Sequence, residues 1–138
     1  MISFFIPGKA VAQGRPKFAK RGNFVSVRDP DSSRDYKSWV RSCALDAMAG
    51  LNGGAAVPMF PREVPLRLSV TVYIERPKSI KKDVLLPVKK PDLDNFLKGI
   101  SDAMESICYA ADQQIVCISA RKVYGTPGAH VEITEYKD

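Results

Sequence analysis

The chain has 138 residues, of which 45% are hydrophobic and 26% are charged, and its formal net charge is +6 at pH 7. This length predicts one globular domain over residues 1–138, and the composition is that of an ordinary globular protein. No apolar run approaches the roughly 18 residues needed to cross a bilayer, and the opening apolar stretch is too short for a signal peptide, so we predict a cytoplasmic protein with no membrane partner.

The N-terminal half of the chain predicts three short strands, one helix and a loop. Residues 2–6 form the first strand, and residues 15–27 form a hairpin. A helix of about 15 residues follows, with Ser32 or Ser33 as its N-cap. Its buried face repeats at steps of three and four residues, at Tyr36, Trp39, Val40, Cys43, Ala44, Ala47 and Met48. Residues 50–65, which are rich in glycine and proline, predict a flexible loop.

The C-terminal half predicts a strand, a helix and two further strands. Residues 66–74 alternate between apolar and polar side chains, which is the pattern of a half-buried strand. A basic, proline-broken loop leads to a helix from near Asp94 to Ser106, and strands over 114–124 and 129–136 follow. The order β, ββ, α, β, α, β, β predicts an α+β (mixed α/β) domain in which two helices pack on one mixed sheet.

Basic side chains are concentrated in two stretches of the chain. The first precedes Asp29 and contains no acid; its cations are Lys9, Arg15, Lys17, Lys20, Arg21 and Arg28. The second is interrupted by Asp83 and ends beside an acidic cluster; its cations are Arg76, Lys78, Lys81, Lys82, Lys89 and Lys90. The two stretches could hold a polyanion such as DNA while its backbone is presented to the carboxylates.

Three aspartates are candidate ligands for a divalent metal. Asp92 precedes the second helix, Asp94 lies in its first turn, and Asp112 starts the next strand, where the returning chain could bring it back to the other two. Hard cations such as magnesium take carboxylate and water oxygens as ligands. The spacing alone leaves another interpretation open, in which Asp94 is a helix cap and Asp112 a turn residue. In that interpretation Lys98 forms an ordinary surface pair with Asp94.

The cysteines and the histidine do not indicate another kind of site. Cys43, Cys108 and Cys117 are odd in number and include no C-x-x-C pair, which argues against a disulfide framework and against zinc. Each lies on an apolar stripe and is predicted to be a buried thiol. His130 lies far in sequence from the aspartates, so a nucleophile with a histidine base is not expected.

Several segments resemble the signature of the RusA family of Holliday junction resolvases. The central ones are K-P-D-x-D-N-x-x-K from Lys90 to Lys98, the pair Asp102-Ala103 further along the helix, and D-x-Q-I-V from Asp112 to Val116. Residues 6–8, 14–18 and 121–125 are also similar to the family. The resemblance covers nearly the whole chain except the loop at 50–65.

The resemblance implies an activity and a set of site residues. Members of the family are small homodimers that cut four-way DNA junctions by paired nicks, use magnesium or manganese, and are common in phages and prophages. The positions that match the family's catalytic aspartates are Asp92, Asp94 and Asp112, which would bind the metal, and Lys98 matches its essential lysine. Asn95 matches the asparagine of the motif and would orient a carboxylate. Many relatives have a second acid where this chain has Ala111.

We therefore predict a structure-specific endonuclease that resolves four-way junctions in DNA recombination and repair. Water activated by magnesium would hydrolyse the phosphodiester bond, and Lys98 would neutralise the charge that develops on the phosphate. Because a junction is two-fold symmetric and each chain has one site, a C2 homodimer would make both nicks. No small-molecule cofactor is expected.

Seven basic residues are the predicted contacts to DNA phosphates: Arg15, Lys17, Lys20, Arg21, Lys78, Lys89 and Lys90. Phe18 and Phe24 either pack in the core or insert at the centre of the junction. Two other functions stay open. One is a metal nuclease specific for flaps or forks on the same scaffold, and the other is a basic DNA-binding module without catalysis.

Overall fold

The computed structural model describes residues 1–14, 17–22, 24–28, 31–51 and 53–138, and for 17–21 and 24–28 it describes the backbone alone. The elements in chain order are β1 (Ile2–Pro7), β2 (Lys17–Arg21), β3 (Phe24–Arg28), α1 (Asp31–Ala49), β4 (Leu66–Ile74), α2 (Leu93–Met104), a 3-10 turn (Asp112–Gln114), β5 (Ile115–Tyr124) and β6 (Gly128–Glu135). The predicted order of elements and the α+β class are confirmed.

A mixed four-stranded sheet in the order β1-β6-β4-β5 forms the centre of the fold. β6 is antiparallel to both β1 and β4, whereas β4 and β5 are parallel to each other. The register between β4 and β5 shifts at Leu66 and Arg67, and beyond the shift Ile118 lies opposite Leu68. Because β5 is the last strand in the sheet order, it is an edge strand of this sheet. β2 and β3 pair with each other in a separate two-stranded sheet rather than in the single sheet that the sequence predicts.

The two helices and the sheet share one hydrophobic core. In β4, alternate side chains are buried as the period-two pattern predicts: Leu66, Leu68, Val70 and Val72. The buried residues of the helices recur at steps of three and four, at Tyr36, Val40, Ala44 and Met48 in α1 and at Phe96, Ile100, Ala103 and Met104 in α2. The core therefore fixes which face of each helix is left for solvent.

Some side chains of the predicted apolar stripes are more exposed than the sequence indicates. Trp39 is 46% exposed, because its indole Nε1 donates a hydrogen bond of 2.8 Å to the carbonyl of Pro7 at the end of β1. All three cysteines are free thiols, but Cys43 and Cys117 are only half-buried, whereas Cys108 is buried. Burial was correctly predicted for Cys108 alone, since Cys43 packs at the margin of the core and Cys117 lies on β5, the last strand of the sheet.

The ends of α1 and the segment after it also differ in detail from the prediction. α1 begins at Asp31, ahead of both predicted serine caps, and the buried Ser33 hydroxyl accepts a hydrogen bond of 3.0 Å from Gly14 N. In the segment after α1, Met59 N donates a hydrogen bond to Ile107 O (3.0 Å) and Phe60 N donates one to Cys108 O (2.9 Å). Both acceptors lie just after α2. The flexibility of residues 50–65 stays a prediction. No described helix is long and apolar enough to cross a membrane.

Candidate active site

α2 runs beside β5 in the opposite direction, which determines where the acidic side chains lie. At the start of α2, the Lys122 ammonium group of β5 donates hydrogen bonds to Lys89 O (2.7 Å) and to Pro91 O (2.9 Å). At the other end of α2, the carboxyl groups of Asp102 and Asp112 are close enough to influence each other. Asp112 precedes β5, so it meets the C-terminal half of α2 and not its first turn.

The first acidic group is the pair Asp92 and Asp94 at the start of α2. Asp92 is the N-cap residue, with extended backbone angles (φ −68°, ψ 142°), but its side chain makes no capping hydrogen bond. Asp94 lies in the first turn, and both side chains are exposed. Neither carboxylate forms a hydrogen bond or an ion pair with any residue that the structure describes. Both oxygen pairs are thus available to a ligand.

The second acidic group consists of Asp102, Glu105 and Asp112. Partial burial, and after it the neighbouring Glu105 carboxyl, raises the pKa of Asp112 to about 6. Burial and then the charge of Asp112 raise the pKa of Asp102, whereas Lys37 and Lys98 act in the opposite direction. The Oδ1 atom of Asp112 is buried and has no hydrogen-bond partner among the described residues. A buried carboxylate oxygen without a donor is stabilised by a cation.

Asp94, Lys98 and Asp102 follow one another at steps of four residues and therefore share one face of α2. At 1.5 Å per residue, Asp94 and Asp102 are about 12 Å apart along the helix axis. The two acidic groups are separated by about this length. In the part of the chain that the structure describes, no three histidine, cysteine or acidic side chains are close enough to hold one metal ion.

Lys98 lies between the two acidic groups. Asn95 lies beside the first group, directly after Asp94. Lys98 is exposed and forms no ion pair with Asp94 within the described residues, so the simple surface pair that the spacing left open is not formed. Its positive charge instead favours ionised Asp102. Asn95 is half-buried, and its backbone carbonyl accepts a hydrogen bond of 2.9 Å from Gln13 N.

The predicted DNA contacts divide into those near the aspartates and those whose side chains the structure does not describe. Lys78, Lys89 and Lys90 are exposed in the loop that leads to Asp92. Lys17, Lys20 and Arg21 belong to β2, where only the backbone is described, and Arg15 lies outside the described residues. The second basic stretch therefore lies beside the Asp92–Asp94 pair, and its lysines are open to solvent.

Gln114 is a site residue whose role the sequence analysis did not assign. It is 5% exposed, and its Oε1 accepts hydrogen bonds from Ala110 N (2.8 Å) and Ala111 N (2.9 Å). Its Nε2 donates to Pro61 O (2.7 Å) and Val64 O (3.1 Å). Gln114 therefore fixes the turn that carries Asp112 to the segment before β4. The available signal was the glutamine of the D-x-Q-I-V motif.

A basic face on α1 was also missed. Arg34, Lys37 and Arg41 recur at steps of three and four and line one surface concavity together with Asp35 and Ser38. Lys37 is near enough to Asp102 to affect its pKa, which places this basic face next to the second acidic group. The steps of three and four residues between these cations would have predicted a basic face, but the sequence analysis considered only the apolar face of this helix.

The donor chemistry of both acidic groups fits a hard divalent cation. Magnesium takes one or two carboxylates and completes its shell with water and phosphate oxygens, which the Asp92–Asp94 pair allows. Asp112 adds a carboxylate with an unsatisfied buried oxygen. One chain, however, does not bring the three predicted ligands together around a single ion.

Comparison with known proteins gives a consistent family. Residues 7–134 match the family described as Endodeoxyribonuclease RusA. The chain is 33% identical over 145 residues to the uncharacterized protein YqaN of Bacillus subtilis (strain 168). This match covers 97% of this chain and 96% of YqaN. It is 38% identical over 78 residues to the crossover junction endodeoxyribonuclease rusA of Lactococcus phage r1t, which covers 55% of this chain and 59% of the phage protein.

Proposed function

This chain belongs to the RusA family of endodeoxyribonucleases, and on that basis we propose that it resolves four-way DNA junctions by a pair of symmetric nicks. The observation that supports the proposal best is the exposed Asp92–Asp94 pair, whose carboxylates have no partner among the described residues and which directly follows Lys89 and Lys90. Carboxylates that are free for a metal, next to cations that attract phosphate, are what hydrolysis of DNA requires. We further propose a role in recombination and repair and a cytoplasmic location.

Asp92, Asp94 and Asp112 are the proposed ligands of magnesium, with manganese as a substitute. When bound, the ion would supply charge stabilisation for the scissile phosphate and would lower the pKa of a bound water. Asp92 and Asp94 would hold the ion at the start of α2, and Asn95, which follows them, would help to orient one carboxylate. The unsatisfied Oδ1 of Asp112 supports its role as a ligand.

Lys98 is the proposed residue that neutralises the phosphate in the transition state. It is exposed on the face of α2 that also carries Asp94 and Asp102, and a charge aimed at a developing oxyanion contributes more to the transition state than to binding. We expect Lys98→Ala to lower the single-turnover cleavage rate by about a hundredfold. Junction binding, measured in EDTA, should weaken by only a few fold because one phosphate contact is lost.

Lys137→Ala is the matched control for Lys98→Ala, since Lys137 is also exposed but lies in the C-terminal segment beyond β6. The control should cut at the wild-type rate. Full cleavage by Lys98→Ala would show that Lys98 has a structural role only.

We propose that two sets of basic residues bind the DNA. Lys78, Lys89 and Lys90 are exposed in the loop before α2 and would contact phosphates close to the cleaved bond. Four residues of the first basic stretch, Arg15, Lys17, Lys20 and Arg21, are proposed from the sequence to bind the neighbouring arm. Their contacts would make junction binding strongly dependent on salt.

A C2 homodimer is proposed for two reasons. Two symmetric nicks need two sites, and an isologous pair of chains supplies them. In addition, one chain holds Asp112 at the opposite end of α2 from Asp92 and Asp94, so a second copy offers a way to complete the ligand set. The edge strand β5 starts next to Asp112 and exposes two apolar side chains, Val116 (57%) and Ile118 (51%), which suit a subunit interface.

Complementation between two inactive variants tests the shared site. We expect co-expressed Asp92→Asn and Asp112→Asn chains to form heterodimers that contain one intact ligand set, composed of Asp92 of one copy and Asp112 of the other. These heterodimers should recover single nicks in a four-way junction, whereas each variant alone should be inactive. If the mixture is as inactive as its components although heterodimers form, the three ligands belong to one chain.

The substrate is tested with synthetic DNA. The protein is mixed with a four-way junction, a 5′ flap and a linear duplex, each in magnesium and in EDTA. The proposed function predicts cuts in the junction, in magnesium only. Cuts restricted to the flap would support the alternative nuclease, and binding without cuts in any DNA would support the non-catalytic module.

A further inference from the structure

The loop between β4 and α2 carries three strongly exposed aliphatic side chains. Leu85 is 77% exposed, Leu86 57% and Val88 82%. We call these three residues the apolar tip. Exposed apolar side chains that cluster in one place commonly mark a contact site.

The apolar tip is held in position from both sides. The Arg76 guanidinium, two residues beyond β4, lies 5.1 Å from the ring centroid of Tyr124 in β5 and donates a hydrogen bond of 2.7 Å to Val84 O. On the other side, the Lys122 ammonium donates to Lys89 O at 2.7 Å. Pro87, which lies between Leu86 and Val88, is buried. The loop is thus anchored to the sheet while its apolar side chains point to solvent.

The surroundings of the apolar tip are positively charged. Four exposed lysines flank it, Lys81, Lys82, Lys89 and Lys90, against one acid, Asp83. Val88 is four residues from Asp92, so the tip lies within about 14 Å of the proposed metal ligand along the chain. DNA whose phosphate reaches Asp92 would therefore have its bases near the tip.

We propose that the apolar tip inserts between bases at the branch point of the junction and holds them unstacked. This inference rests on the proposed function and names the part of the protein that distinguishes a branch from a duplex. Aliphatic side chains inserted at a base step are a general means of unstacking and bending DNA. A branch point is the favourable place, because the stacking there is already interrupted.

A second copy of the chain is the less suitable occupant. An isologous contact through the tip would place the four lysines of one copy against the same four lysines of the other. The charge of this surface is complementary to DNA and not to itself.

The test compares a triple variant, Leu85→Ala/Leu86→Ala/Val88→Ala, with the wild type and with the control Leu45→Ala/Val57→Ala, which removes exposed apolar groups elsewhere. A four-way junction carries 2-aminopurine at the branch point, and its fluorescence is recorded during binding in EDTA. Affinities for junction and duplex are measured at several salt concentrations.

We expect the wild type and the control to increase the fluorescence, because the base leaves its stack. The triple variant should lose this increase and about tenfold of its preference for the junction, while its duplex affinity and salt dependence are unchanged. Its thermal unfolding should match the wild type, since the three side chains are exposed.

An undiminished fluorescence increase in the triple variant, with wild-type cleavage, would overturn the apolar tip proposal and leave the proposed function intact. Conversion of a wild-type dimer to a monomer by the triple substitution would also overturn it and would assign the tip to the subunit interface. If the wild type neither prefers nor cuts the junction, the proposed function itself fails, and the inference fails with it.

Discussion

Asp92→Asn should abolish cleavage of a four-way junction and preserve binding to it. The substitution keeps the size of the side chain but replaces an anionic oxygen ligand with a neutral amide. A metal contributes several kcal/mol of charge stabilisation in such reactions, so we expect the single-turnover rate to fall about a thousandfold or more. Junction affinity in EDTA should be unchanged or tighter, because one negative charge next to the DNA phosphates is removed.

Asp83→Asn is the matched control, because Asp83 is an exposed acid in the same basic loop but is not a proposed ligand. It should bind slightly more tightly and cut at the wild-type rate. Isothermal titration with manganese gives a readout independent of DNA, in which Asp92→Asn should bind the ion more weakly than Asp83→Asn does. Near-normal cleavage by Asp92→Asn would remove Asp92 from the active site.

Gln114→Leu should cause the largest loss of stability among substitutions at the site. The leucine leaves two amide groups, of Ala110 and Ala111, and two carbonyl groups, of Pro61 and Val64, without the partners they have in the wild type. A buried polar group without a partner costs about 1–3 kcal/mol. Since solvent will reach some of the four, we expect the free energy of unfolding to fall by about 3–5 kcal/mol.

The measurement is equilibrium unfolding in urea, with Gln113→Leu as the control. Gln113 is exposed, and its substitution should change the free energy of unfolding by less than about 0.5 kcal/mol. Cleavage by the folded fraction of Gln114→Leu should fall by up to about a hundredfold, because the turn that carries Asp112 is no longer fixed. A loss below about 1 kcal/mol would mean that the four hydrogen bonds contribute little.

Sequence periodicity was sufficient for the elements and for most of the core. The alternation of residues 66–74 and the helical spacing of Phe96, Ile100 and Met104 each identify one buried face. Trp39 shows where this reasoning ends. Its spacing places it on the predicted buried face of α1, but its indole N–H requires an acceptor and finds one at Pro7 O. Periodicity records hydrophobicity and not the hydrogen-bonding needs of a side chain.

The residue types of the candidate site were predictable, whereas their arrangement was not. The motif identified Asp92, Asp94 and Asp112 as candidates, but spacing suggested that the returning chain would bring Asp112 back to the first turn of α2. Because α2 and β5 run in opposite directions along their length, Asp112 meets the other end of the helix. The role of Gln114 depends on contacts with residues about 50 positions away, and no local pattern reports such contacts.

Paired, metal-dependent nicking is the central claim, and a supercoiled plasmid that extrudes a cruciform tests it most directly. Two nicks made within one binding event convert the plasmid to a linear product, whereas independent single nicks give a relaxed circle. We predict linear DNA as the main first product in magnesium, with its ends at symmetric positions in the cruciform, and intact plasmid in EDTA. Relaxed circles as the main first product in magnesium, linear product of equal yield in EDTA, or intact cruciform plasmid in magnesium would contradict the proposal of paired, metal-dependent nicking.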